Sequence, residues 1–202
     1  MFKLPMLSLD DLIREAEIAH GHLCAGQILG VRLAMFGLAK LGIEDPRGKD
    51  RKRLVTFVEI DRCATDAIGV VTGCRLGKRA LKFRDWGKMA ATFVDLETGK
   101  AVRIAAKESS KKLAREMHPE IENKNQQQML AYREMKDEDL FSTQWVKVVL
   151  PPEEFPGYKA DRIVCAECGE GINFHREVER DGRVLCKACA GEKYYDTISD
   201  ND

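Results

Sequence analysis

The tightest constraint on this chain lies near its end: Cys165-x2-Cys168, seventeen intervening residues, then Cys186-x2-Cys189. A Cys-x-x-Cys turn presents two thiolates to one tetrahedral ion, and two such turns complete a closed structural zinc site. Gly169 and Gly171 suit the turn after the first pair, and Asp181-Gly182 suits a hairpin turn between the pairs. The run after Cys189 can form a short helix, which gives the layout of a treble-clef finger. About 40 residues cannot bury enough apolar surface to fold unaided, so zinc would supply the folding energy. A redox dithiol pair is the weaker alternative. His175, between the pairs, reads as a surface residue of the hairpin rather than a further ligand.

Upstream, "LPPEEFPGY" (150–158) holds three prolines and a glycine in nine positions. Proline denies both helix and ladder hydrogen bonds, so this is linker chemistry. The chain therefore divides into a core domain over 1–150, a Pro-rich linker over 151–160 and a four-cysteine treble-clef module over 161–202.

The core pattern predicts an α+β fold, a mixed α/β domain. Ser8 and Asp11 resemble a capping box ahead of a helix over 9–19, which stops near His20-Gly21. "GQILGVRLAMFGLAKLG" reads as a second helix ending at Gly42. "RLVTFVEID" alternates as a strand, and "CATDAIGVVTG" follows as a helix with Cys63 at the junction. "LKFRD", "MAATFVDL" and "AVRIAA" predict strands, the last two joined by a hairpin at Glu97-Thr98-Gly99-Lys100. Two polar surface helices follow, the second starting at Pro119, and "TQWVKVV" predicts a last strand. Trp86 and Trp145 are expected as core or interface anchors, and His118 as a surface loop residue.

Charge narrows the partners. Lys plus Arg and Asp plus Glu both number 33, which gives no global field toward nucleic acid or anionic membranes. Residues 161–202 carry ten acidic and six basic side chains, a local charge of −4 and the wrong sign for phosphates. Protein contact suits the module better, and nucleic acid is not expected as a partner. The absence of a signal-peptide or membrane-span pattern predicts a cytoplasmic protein with no membrane partner.

The remaining cysteines are Cys24, Cys63 and Cys74, and Cys24 lies in "AHGHLCAG" with His20 and His22. On a regular helix the two histidines point about 200° apart, but Gly21 permits a bend that would break that geometry. Imidazole and thiolate together suit Zn, Ni, Fe or Cu rather than Mg or Ca, and Cys63 offers a remote ligand. A helix end carrying histidines and a packed thiol is the competing reading. Asp66 is placed to orient a histidine, act as a base or cap the helix. Cys74 reads as a core thiol or a site neighbour, and Lys78-Arg79 as a solvated turn. "GCRLGKR" is not a phosphate loop, because three rather than four residues separate its glycines and Arg79 stands where Ser or Thr should hold magnesium.

"HGHLCAGQILGVRLA" and "DRCATDAIGVVTGCRLGKRALKFRDWGKMAATF" together resemble the FmdE family, named for a component of molybdenum formylmethanofuran dehydrogenase. Ala25 departs from the proline usual after the motif cysteine, which removes no ligand. The resemblance implies an α+β core with a C-terminal treble-clef finger and a functional cluster at His20, His22, Cys24, Cys63, Asp66, Cys74 and Lys78. It implies a core metal (Zn, Ni or Fe) on His20, His22, Cys24 and Cys63, with Cys63, Asp66 and Lys78 as catalytic candidates. Together with Gly26-x-x-x-Gly30, whose small residues permit close helix contact, it implies a homodimer. The expected function is an accessory protein or metalloenzyme of one-carbon metabolism, with a molybdoenzyme or other protein as partner. A non-enzymatic adaptor or metal carrier, docking through its finger, is the alternative.

Overall fold

A computed structural model describes residues 7–198, which form two compact units dividing between Val149 and Leu150. In the first, α1 (Leu9–His20) starts with the expected capping box: Ser8 Oγ accepts from the Asp11 N–H, and Asp11 reaches back to the Ser8 N–H. Gly21 ends it in the left-handed region at φ 92°, and a short connection leads to α2 (Ala25–Leu41), closed by Gly42.

The strand β1 (Leu54–Val58), α3 (Cys63–Thr72) and β2 (Leu81–Phe83) form a parallel crossover. The strands β3 (Ala90–Asp95), β4 (Ala101–Ala106) and β5 (Phe141–Val146) add antiparallel, giving the order β2-β1-β3-β4-β5. Between β4 and β5 run α4 (Ser109–Met117), α5 (Lys124–Glu134) and the short α6 (Asp137–Leu140). Leu54, Val58, Phe93, Val102 and Ile104 of the sheet share one buried cluster with Ile28, Val31 and Leu33 of α2 and Ala67 and Ile68 of α3. The helix α2, buried along most of its length, packs against α1, α3, α5, β3 and β4.

The Gly26-x-x-x-Gly30 pair sits at the crossing of α2 and α3. A Cβ on Gly30 would stand 2.5 Å from the Ala64 carbonyl oxygen and 2.7 Å from the Ala64 Cα. Backbone cannot move aside as a flexible side chain can, so Gly30→Ala is expected to part the helices and cost about 1–3 kcal/mol. Chemical denaturation checks this. These glycines are thus engaged within the chain and add nothing to the expectation of a homodimer.

At the far end of the sheet, Asp95 is 1% exposed and accepts from Arg53 Nε at 2.9 Å and Nη2 at 2.5 Å. The Arg53 guanidinium holds its carboxyl down at about 2, against an ordinary 3.8. The depressed value means that this stabilisation is complete above about pH 4 and vanishes as pH falls through about 2. Asp95→Asn is expected to remove about 2 kcal/mol at neutral pH and to flatten stability across that acid window, measurable by denaturation at each pH.

Two expectations for this unit need correction. The second polar helix starts not at Pro119 but after Asn123, whose side chain accepts from the Asn125 and Gln126 N–H groups; an amide cap outcompetes the proline signal. Trp86 and Trp145 are 62% and 60% exposed, so neither anchors the core. His118 stands, as expected, on the loop after α4, partly exposed between Glu120 at 3.5 Å and Glu134 at 3.1 Å. Among the described residues no helix is long and apolar enough to cross a membrane.

The second unit is built from two small hairpins. β6 (Ile163–Val164) pairs with β7 (Gly171–Ile172), and β8 (Val178–Arg180) pairs with β9 (Arg183–Leu185) around Asp181-Gly182, both at positive φ. That left-handed pair matches the twist of a two-residue hairpin. The Ala166 N–H donates to the Val184 carbonyl at 2.9 Å and joins the hairpins. After Cys189 the chain makes a turn and no helix, because Gly191 at φ 104° ends it at once.

Candidate metal centre

Cys165, Cys168, Cys186 and Cys189 converge, their sulfurs mutually within 4.8 Å. Four thiolates bound at about 2.3 Å in a tetrahedron lie about 3.8 Å apart; the Cys168 and Cys186 sulfurs are 3.9 Å apart. The Cys186 N–H donates to Cys165 Sγ at 3.2 Å and the Cys189 N–H to Cys186 Sγ at 3.4 Å. Backbone N–H groups of Cys168, Cys186 and Glu167 bring the Cys165 thiol down to about 6, toward the thiolate that a metal requires. Cys189, against the neighbouring sulfurs, is pushed up. His175 is outside this cluster, half-exposed and 3.3 Å from Glu177.

In the α+β unit a second cluster forms where three helix ends meet. His20 ends α1, Cys24 caps α2 and Cys63 opens α3; their ligand atoms also lie mutually within 4.8 Å. The close approach of the helices makes this possible: a Cβ on Gly26 would stand 3.2 Å from Cys63 Cβ and 3.6 Å from Cys24 Sγ. Cys24 and Arg62, the residues that precede α2 and α3, make no side-chain cap hydrogen bond, and the starts of both helices lie beside the cluster. Burial pushes the Cys63 thiol up, and its hydrogen bond with Cys24 pushes it further.

Asp66, one turn into α3, meets His20 Nδ1 at 2.8 Å. Carboxylate–histidine pairs of this kind are common around metals, where the carboxylate holds the ring and the other ring nitrogen meets the ion. His22 lies outside the cluster. It follows the left-handed turn at Gly21, is exposed, and stands ring to ring with His20 at 4.7 Å. Cys74 and Lys78 are not gathered in either. They follow the other end of α3, whose ten residues span about 15 Å. Cys74 is 3% exposed beside Thr56 and Leu54, and Lys78 is exposed on a 3-10 turn.

Two amide side chains at the cluster are not marked by any motif. Gln27, fully buried, donates from Nε2 to the Cys63 carbonyl at 2.6 Å. Asn125 of α5 accepts from the Ala25 N–H, next to Cys24, at 3.1 Å. A lone glutamine in the apolar run of α2 was the available signal for the first. Asn125 is a hundred residues away in sequence and carried none.

Both units match known families. The model described as FmdE, molybdenum formylmethanofuran dehydrogenase operon, matches residues 19–142. The prokaryotic DksA/TraR C4-type zinc finger matches 160–195, in keeping with a structural zinc on the four cysteines. A protein of Archaeoglobus fulgidus described as a probable S-adenosyl-L-methionine-binding protein is 32% identical over 212 residues. The match covers 94% of this chain but 55% of that protein, so the chain spans about half the length of this curated relative. The crystal structure of an FmdE-like protein from Syntrophus aciditrophicus, named for tungsten formylmethanofuran dehydrogenase, superposes with a TM-score of 0.64 at 20% identity. The superposition covers 96% of this chain and 100% of the other, a likeness of fold.

Proposed function

Because the chain belongs to the FmdE family, we propose that it holds two metals for different ends: a zinc that folds the finger, and a reactive ion on His20, Cys24 and Cys63. The observation that carries this reading is the difference in donor count. Four sulfurs converge in the finger, whereas three donors converge in the core. Closed four-ligand sites are structural, and two cysteines with one histidine leave a position for water or substrate. Such an ion, Zn, Ni or Fe by its donor set, would polarise a carbonyl or make water acidic near neutral pH.

The chain's own residues do the rest. Cys24 and Cys63 would supply negative charge steadied by two helix ends, and His20 the nitrogen ligand. Asp66 fixes the histidine ring, and exposed His22 stands beside it to move protons between the centre and solvent. Lys78 has no part in this centre within one chain. The family description supports service to formylmethanofuran dehydrogenase or related one-carbon chemistry, as an accessory protein or a metalloenzyme.

Cobalt(II) tests the open position. With zinc retained in the finger, cobalt in the core is expected to give thiolate-to-metal absorption that shifts on adding azide. Bands indifferent to azide would mean a closed centre and defeat the reading.

A further inference from the structure

We infer that Gln27 is a positioning residue of the core centre, setting the separation of its two cysteine ligands. The inference rests on the metal reading above. Gln27 is the point at which both cysteines are held: its backbone N–H donates to the Cys24 carbonyl at 3.0 Å, and its side-chain Nε2 donates to the Cys63 carbonyl at 2.6 Å. Cys24 caps α2 and Cys63 opens α3, so one residue ties together the two helix starts that carry the sulfurs.

Stability does not account for an amide here. Gln27 is fully buried, and its Oε1 has no hydrogen-bond partner among the described residues. A buried acceptor left unmatched opposes folding, and a methionine or leucine of similar volume would fill the same space without it. The rest of the α2–α3 crossing is made by small residues, Gly26 and Gly30 against Cys63, Ala64 and Ala67. Such a contact sets how near the helices come but leaves them free to slide. A short, directed hydrogen bond to Cys63 removes that freedom at the residue whose sulfur must meet Cys24 and His20. The orientation of the amide is fixed as well, since only its NH2 end can donate to a carbonyl.

Outer-shell groups that orient ligands change metal affinity about 10–100-fold when removed. The test compares wild type with Gln27→Met and Gln27→Leu, full-length and with zinc in the finger, by cobalt(II) titration against a competing chelator and by thermal melting. The expected result is a core cobalt affinity lowered about 10–100-fold in both variants, with altered ligand-field bands and a melting temperature equal to or above that of wild type. Unchanged affinity and bands with a lowered melting temperature would make Gln27 a packing residue and overturn the inference, as would failure of both variants to fold. Wild type that takes up no core cobalt would remove the centre itself, and the inference with it.

Discussion

Replacing Cys165 and Cys186 by serine together is expected to remove one zinc per chain and unfold both hairpins, while the α+β unit melts as before. The buried cluster of the second unit consists of Cys165, Ile172 and Leu185, with Cys186, Cys189 and Ala190 partly buried against it. Burying an Ile and a Leu contributes about 1.5–3 kcal/mol each. Ordering the backbone from Cys165 to Cys189 opposes folding by far more than so small a core returns. Metal coordination is the remaining source of folding free energy in such a module. Elemental analysis and limited proteolysis check the outcome together. Undiminished zinc, or hairpins that still resist protease, would refute the assignment.

Cys63→Ser and Cys74→Ser are expected to fail in opposite ways. Serine's hydroxyl is a poor ligand at neutral pH, so Cys63→Ser should lose the core ion and leave the finger's zinc in place. Cys63 is half-buried at a helix start, and the fold should change little. Cys74 is buried beyond the other end of α3 against Thr56 and Leu54. There serine's shorter side chain leaves its buried hydroxyl farther from the Thr56 hydroxyl and the Leu54 carbonyl than the thiol stands, costing about 1–2 kcal/mol with metal content untouched. The contrast separates a ligand from a packed thiol in one fold. Equal metal content in wild type and both variants would show that Cys63 holds no ion.

What was legible in the sequence was whatever local chemistry dictates. The four-cysteine spacing, the Ser8–Asp11 capping box, Gly42 as a helix stop and the strand–Cys63–helix junction each follow from short patterns with their own chemistry. That His20 and not His22 meets Cys24 and Cys63 was not legible, because it depends on the left-handed turn at Gly21 and on Asp66, which arrives from another helix. Nor was the separation of Cys74 and Lys78 from Cys63, since proximity in sequence hides the length of α3 between them. Pro119 misled because a proline permits a helix start without requiring one, whereas the Asn123 amide meets two N–H groups that would otherwise lack partners. Trp86 and Trp145 are not core anchors, because bulk predicts burial in the core only where a neighbouring element covers the position. Trp145 lies on β5, one of the two edge strands of the five-stranded sheet, and Trp86 on the connection between β2 and β3.

The central claim is that one chain carries a closed centre for folding and an open one for chemistry. It is tested most directly by counting metal in freshly purified, chelator-free wild-type protein. The account predicts one ion in the four-cysteine cluster and a second at His20, Cys24 and Cys63, the second released first by a mild chelator because one of its positions is open. A single ion per chain, held as zinc and lost only when the finger cysteines are replaced, would contradict it.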